Sequence, residues 1–290
     1  MLKGVFTAIV TPFTKDNKID EEALRNLVEE QIDAGIAGIV PCGTTGESPT
    51  LSHEEHARVI EIVCDQVKSR CEVIAGTGSN STSEAIKMTA LAKEAGATAS
   101  LQVVPYYNKP TQRGLFLHFK AIAEEVDLPI MIYNIQGRSA INMSTSTLVE
   151  LAALDNIVAV KEASGSLPQV MDVINSTPED FSVLSGDDNL VLPLMAVGGH
   201  GVVSVASNII PKEMVQLVNL GLKGDFAAMR SMHYELAELF AGLFVETNPI
   251  PIKKILALKG KIQSVYRLPM CEPDSGSLKF IKDLVKKYKI

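Results

Sequence analysis

The 290-residue sequence predicts an α/β fold: a (β/α)₈ TIM barrel followed by a C-terminal all-helical extension. Three observations carry that prediction. Short β-branched runs alternate with longer stretches of helical period from the N-terminus to about residue 222, the pattern of repeated βα units. Eight such runs can be counted, and eight parallel βα units close naturally into a barrel. Beyond residue 224 only helical stripes remain. A doubly wound open sheet shares the alternation, but no Gly-x-Gly-x-x-Gly opens a helix after the first strand, which weakens a dinucleotide-binding alternative.

Taken in order, the expected strands are residues 5–11, 38–41, 72–75, 100–104, 129–133, 157–160, 181–185 and 201–205. Most are apolar on both parities, as strands covered on both faces must be. Asp20 is placed to cap a helix whose Leu24, Leu27, Val28 and Ile32 form one stripe. Ser52-x-x-Glu55 and Ser81-x-x-Glu84 have the spacing of capping boxes, and Gly35, Gly96 and Gly221 stand where helices should stop. In the extension, Phe226, Met229, His233, Leu236, Phe240 and Leu243 step by three and four, as do Leu278, Ile281, Leu284 and Tyr288. His233 on such a stripe is expected to pack rather than to ligate. Residues 1–224 are therefore read as the barrel and 225–290 as the helical extension.

Charge and composition exclude several functions. With 27 Lys+Arg against 34 Asp+Glu the formal net charge is −7, which gives no electrostatic footprint for nucleic acid or an anionic membrane. The one basic cluster, Lys282, Lys286, Lys287 and Lys289, fits a helix C-terminus stabilised by its own dipole. Cys42, Cys64, Cys71 and Cys271 form no Cys-x-x-Cys and no Cys/His pair at ligand spacing, so neither a metal site nor a disulfide scaffold is expected. No apolar run reaches the roughly 18 residues of a membrane span and no signal peptide is legible, so a cytoplasmic protein is expected.

A barrel of this kind builds its site at the carboxyl ends of the strands. Five polar groups occupy those ends: Gly43-Thr44-Thr45-Gly46-Glu47, Pro105-Tyr106-Tyr107-Asn108, Tyr133-Asn134 with Arg138 following, Lys161-Glu162, and Gly186-Asp187-Asp188. Lys161 is the most informative, because it closes the apolar run 157–160, where an ammonium loses hydration. Burial depresses a lysine pKa, and a neutral amine attacks carbonyls. The competing reading pairs Lys161 with Glu162 or Asp187. Tyr133, at the end of the neighbouring strand, is placed to shuttle protons if the two strands are in register. The Gly-flanked Thr44 and Thr45 offer hydroxyls and backbone N–H groups to a small carboxylate. Arg138 offers a bidentate fork to a second one. No histidine occupies a strand end on this rim, so Ser/His/Asp and His-metal chemistry find no support.

Together these five motifs, in this order and over the whole chain, resemble the dihydrodipicolinate synthase (4-hydroxy-tetrahydrodipicolinate synthase) family of the pyruvate-dependent class I aldolase superfamily. The resemblance implies a lyase that forms a Schiff base between Lys161 and pyruvate, with Tyr133, Thr44 and Tyr107 as a proton relay. It implies Thr45, Gly186 and the backbone at Val203 for pyruvate and its imine, and Arg138 for the carboxylate of L-aspartate 4-semialdehyde. It places the reaction in the diaminopimelate route of lysine biosynthesis and implies no metal and no organic cofactor. It further implies a homotetramer, a dimer of dimers, in which Tyr107 reaches the neighbouring subunit's site. Ser48, His53, His56, Asn80, Glu84 and Tyr106 resemble the family's allosteric site for L-lysine. Gln136 stands where the family usually has Pro, and Ala140 where it usually has Gly. Two other readings remain open at this point: an aldolase acting on a sugar acid, and a non-catalytic paralogue binding pyruvate or lysine.

Overall fold

A computed structural model describes all 290 residues. Its eight strands are β1 (Gly4–Ala8), β2 (Gly38–Val40), β3 (Glu72–Gly76), β4 (Ala99–Val103), β5 (Ile130–Asn134), β6 (Ile157–Glu162), β7 (Ser182–Ser185) and β8 (Gly201–Ser204). Each pairs in parallel with its sequence neighbour, and β1 closes on β8, so the expected barrel forms in chain order. Two strand ends differ from expectation by more than one residue. β1 stops at Ala8, because the Asn208 side chain takes over the backbone beyond it, donating to the Ala8 carbonyl at 2.8 Å and accepting from the Val10 N–H at 3.2 Å. β6 continues through Glu162, so Lys161 and Glu162 are strand residues and point to opposite faces.

The continuous apolar runs are explained by two packed layers. Phe6, Val40, Ile74, Leu101, Met131, Tyr133, Ala159, Leu184 and Val203 fill the barrel. Residues of the other parity, such as Ile130, Ile132 and Val160, pack outward against the helices.

The shell helices are α1 (Glu21–Asp33), α2 (His53–Val67), α3 (Thr82–Glu94), α4 (Gln112–Glu125), the short α5 (Gln136–Ser139), α6 (Thr145–Ala152), α7 (Leu167–Ser176), α8 (Val191–Ala196) and α9 (Pro211–Leu222). Asp20 caps α1, and the Ser52–Glu55 box caps α2, as expected. The second box does not form: the Ser81 side chain makes no cap, because Glu84 bonds Ser79 and His53 instead. Gly35 and Gly96 follow their helices at φ 80° and 94°, but Gly221 lies inside α9, and Gly224 at φ 78° ends that unit. The small side chain at 221 is needed for packing, since a Cβ there would stand 2.8 Å from both Met195 and Met229.

The extension forms α10 (Phe226–Gly242), α11 (Ile250–Leu258) and α12 (Ser275–Tyr288). Met229, Leu236, Phe240 and Ile281 join one core with Val5, Leu24 and Val202 of the barrel. His233 is buried beside the Phe240 ring, a packing position. α11 showed no stripe in the sequence because it is apolar nearly all round, and it is buried accordingly, Lys253 included. No helix is long and apolar enough to cross a membrane.

Candidate active site

The register of β5 and β6 puts Tyr133 directly beside Lys161. Both side chains enter the barrel, and the Lys161 Nζ stands 4.0 Å from the centre of the Tyr133 ring. Lys161 is 6% exposed and forms no ion pair; burial lowers its pKa from the ordinary 10.5 to about 8, although the more distant Asp187 and Asp188 partly offset that effect. The alternative pairing with Glu162 does not occur. Glu162 faces the other way, accepting from the Ser164 N–H at 2.6 Å and the Asn134 amide at 3.2 Å. Burial likewise pushes the Tyr133 phenol well above its usual range, with Arg138 and Thr44 opposing and Asp187 reinforcing the shift.

Gly186 follows β7 and hydrogen-bonds through its N–H to the Glu162 carbonyl at 2.8 Å. A Cβ there would lie 3.2 Å from the Lys161 Cε and 2.6 Å from the Ala163 Cβ, so glycine leaves the lysine stem its channel. Val203 is fully buried in the barrel lining, one residue before the end of β8, and just beyond that end Asp188 accepts from the Val205 and Ala206 N–H groups at 3.0 and 2.8 Å.

Above the barrel opens a cavity of about 220 Å³ whose walls include Thr44, Leu101, Tyr106, Tyr133, Ile135 and Arg138. Thr45 is buried behind Thr44, and its Oγ1 accepts a 2.9 Å hydrogen bond from the Asn248 amide. That leaves the Thr45 hydroxyl proton free for another acceptor. Arg138 is exposed on α5 and donates through Nη2 to the Asn248 carbonyl at 3.3 Å. Its loop is fastened from behind: the Asn134 amide donates to the Asn142 side chain at 2.7 Å, and the Ser139 hydroxyl donates to the Ile135 carbonyl at 2.8 Å.

Within one chain the structure thus brings Thr44, Tyr133 and Arg138 to one cavity at the barrel mouth, with Lys161 against the Tyr133 ring, Gly186 beside the Lys161 stem, Thr45 next to Thr44 and Val203 in the barrel lining below. It does not bring Tyr107 there. That residue projects outward, 88% exposed, from a backbone at φ 71°.

A second cavity, of about 170 Å³, shares the Ser48, Pro49, Gly78 and Tyr106 wall of the first and is also lined by His53, His56 and Glu84. Glu84 pairs with His53 at 2.6 Å and with Ser79, and these partners hold its carboxyl below the usual range. His56 contacts the Gly76 carbonyl at 2.6 Å, and Asn80 reaches the Tyr106 carbonyl at 3.2 Å from the rim.

Sequence reasoning missed Asn248 and the buried ion pair of Glu47 with Lys253. Asn248 lies 203 positions from the threonine it contacts, and no periodicity links the two. The unexplained lysine in an apolar stretch at residue 253 was the one available signal.

The chain matches the Dihydrodipicolinate synthetase family over residues 1–288. It is 54% identical over 288 residues to the 4-hydroxy-tetrahydrodipicolinate synthase of Syntrophus aciditrophicus, covering 99% of both chains. Its backbone matches the crystal structure of dihydrodipicolinate synthase from Aquifex aeolicus with a TM-score of 0.98 at 48% identity, covering 99% of this chain and 98% of that one. It also matches a dihydrodipicolinate synthase from Cyanidioschyzon merolae with lysine bound, with a TM-score of 0.96 at 41% identity, covering 98% and 97%. Barrel, strand-end residues and helical extension all fall within these matches, and the chain belongs to the dihydrodipicolinate synthetase family.

Proposed function

We propose that this chain is a lyase that condenses pyruvate with L-aspartate 4-semialdehyde through a Schiff base on Lys161, giving 4-hydroxy-2,3,4,5-tetrahydrodipicolinate for lysine biosynthesis. The observation that carries this reading is the unpaired, buried Lys161 in register with Tyr133. At a pKa of about 8, about one lysine in ten is neutral at pH 7, against about one in three thousand at the ordinary 10.5. The neutral amine attacks the pyruvate ketone, and the carbinolamine loses water to form the imine. Water departs only if the carbinolamine oxygen is protonated, and the Tyr133 phenol, kept protonated by burial, supplies that proton with Thr44 beside it.

The imine withdraws electrons and tautomerises to an enamine, whose carbon attacks the aldehyde of the semialdehyde. The amino group of that substrate then attacks the imine carbon, closing the ring and releasing Lys161. Thr45, with its proton free, and Gly186 and the Val203 backbone hold the pyruvate half, while the Arg138 fork takes the carboxylate of the semialdehyde. The arginine distinguishes this reading from a sugar-acid aldolase, and the reactive amine beside a phenol distinguishes it from a binding-only paralogue.

Borohydride reduction in the presence of pyruvate, followed by peptide mass analysis, is expected to place the adduct on Lys161. An adduct on another lysine, or none, removes the mechanism. Arg138→Ala is expected to impair use of the semialdehyde about a hundredfold while leaving imine formation nearly unchanged. Equal loss of both would reassign Arg138 to the fold.

L-lysine is proposed as a feedback inhibitor at the second cavity, its ammonium on Glu84 and its carboxylate near Tyr106, with Ser48, His53, His56 and Asn80 around it. The wall shared with the first cavity and the lysine-bound relative support this reading. A condensation rate that stays flat through millimolar L-lysine would exclude it. The exposed Tyr107 supports a homotetramer in which this phenol completes the relay of the neighbouring subunit. Full activity in a sedimenting monomer would sink that assignment.

A further inference from the structure

The turn carrying Thr44 and Thr45 ends on a buried ion pair that the condensation chemistry leaves unused. Glu47 sits at φ 54°, a left-handed conformation that is strained for a non-glycine residue. Its side chain turns inward instead of toward water, and it pairs with Lys253 of α11, both side chains being 1% exposed. The second carboxylate oxygen accepts from the Arg267 N–H at 3.3 Å. The Arg267 guanidinium in turn binds Glu55 at 2.6 Å and the Thr50 carbonyl at 2.9 Å, on the far side of the same loop. Phe13 covers both cations, 4.4 Å from the Lys253 Nζ and 4.2 Å from the Arg267 Cζ. At the near side, the Glu47 N–H closes on the Thr44 carbonyl at 3.1 Å, and the Asn248 amide, just ahead of α11, holds the Thr45 hydroxyl.

A buried ion pair is weak evidence of stabilisation, because desolvating two charges offsets most of their attraction. What this pair does is join a strained catalytic turn to a helix more than 200 residues away in sequence. We propose that Glu47 and Lys253 are positioning residues for the pyruvate half of the reaction, anchoring the Thr44–Thr45 turn to the helical extension. The inference rests on the roles given above to Thr44 and Thr45. The backbone of the Arg138 loop has its own anchors in Asn134, Asn142 and Ser139, and the Arg138 side chain meets the extension only through the Asn248 carbonyl at 3.3 Å, so the semialdehyde half should be largely spared.

The test uses the whole chain with Glu47→Gln, Glu47→Gln/Lys253→Met, Thr45→Ala and Glu47→Gln/Thr45→Ala. Borohydride trapping rates with pyruvate and the KM for each substrate are measured beside the thermal midpoint. Glu47→Gln and Glu47→Gln/Lys253→Met are each expected to slow trapping and raise the pyruvate KM by about tenfold, with the semialdehyde KM within about twofold of the parent. Glu47→Gln should add almost nothing to Thr45→Ala, because both act through one turn.

If Glu47→Gln alone does not fold, the paired change, which strands no charge, carries the test. Folded Glu47 variants with parental trapping and pyruvate KM overturn the proposal, as do losses that add to Thr45→Ala or fall equally on both substrates. A paired variant that cannot fold overturns it too, since the pair then serves stability. Thr45→Ala with a parental pyruvate KM instead overturns the role given to Thr45, and the proposal with it.

Discussion

Lys161 and Lys253 are both buried, at 6% and 1% exposure, yet their surroundings assign them opposite behaviour. Lys253 meets the Glu47 carboxylate and two aromatic rings, Phe13 at 4.4 Å and Tyr266 at 5.3 Å. Burial lowers its pKa, and Glu47 pushes back by charge and hydrogen bond. Lys161 has one ring and no bonded carboxylate, and its pKa falls to about 8. Burial alone therefore does not make a nucleophile. The placement of the nearest carboxylate decides, and β6 turns Glu162 to the opposite face by simple strand alternation.

The comparison is broken most directly by giving both positions the same apolar side chain. Lys161→Met removes the amine that forms the imine, and activity should fall by about 10⁴-fold or more. The same change removes an unpaired buried charge, so stability should rise by on the order of 1–3 kcal/mol, read as a higher thermal midpoint. Lys253→Met should do the reverse to stability, costing about 3–5 kcal/mol, because it leaves the buried Glu47 carboxylate without its paired cation. Two buried lysines whose methionine variants shift the midpoint in the same direction would show that their environments do not differ as described.

That opposition was half legible in the sequence. Lys161 could be found because it ends an apolar run at a strand end, and Tyr133 because it does the same one unit earlier; local order carries that signal. The eight βα units and the two stripes of the extension were legible for the same reason. Lys253 was not interpretable, since its partner lies 206 positions away and only the folded chain brings them together. Ser81 misled for a smaller reason: its capping spacing is correct, but Ser79 and His53 compete for Glu84. Asn248 bears on both Thr45 and Arg138, and nothing in its neighbourhood of sequence marks it.

The comparison is sharpened by crowding the lysine instead of deleting it. Gly186→Ala places a methyl 2.6 Å from the Ala163 Cβ and 3.2 Å from the Lys161 Cε, so the turn that walls the lysine channel must shift and the stem must give with it. A displacement near 1 Å costs about a hundredfold in a positioned reaction, and imine trapping should fall by about that factor while the fold survives. Unchanged trapping would mean that the lysine channel has slack the packing does not show.

The smallest effect follows from the pKa of Lys161 and has a definite sign. Imine formation at limiting pyruvate depends on the neutral amine, so its rate should rise about tenfold per pH unit below pH 8 and level off above it. The Tyr133 phenol is pushed up by burial and does not titrate in that window. For stability, the folded-state pKa of about 8 lies below the ordinary 10.5, so between those values the unfolded chain binds more protons and stability rises with pH. The unpaired charge thus destabilises the fold fully below pH 8, and that effect fades as pH rises toward 10.5. The advantage of Lys161→Met over the parent should therefore be constant at neutral pH and shrink across the alkaline window by about 1.4 kcal/mol per unit. An advantage that persists undiminished to pH 10 would mean that the folded chain does not desolvate Lys161, and the contrast with Lys253 would lose its physical basis.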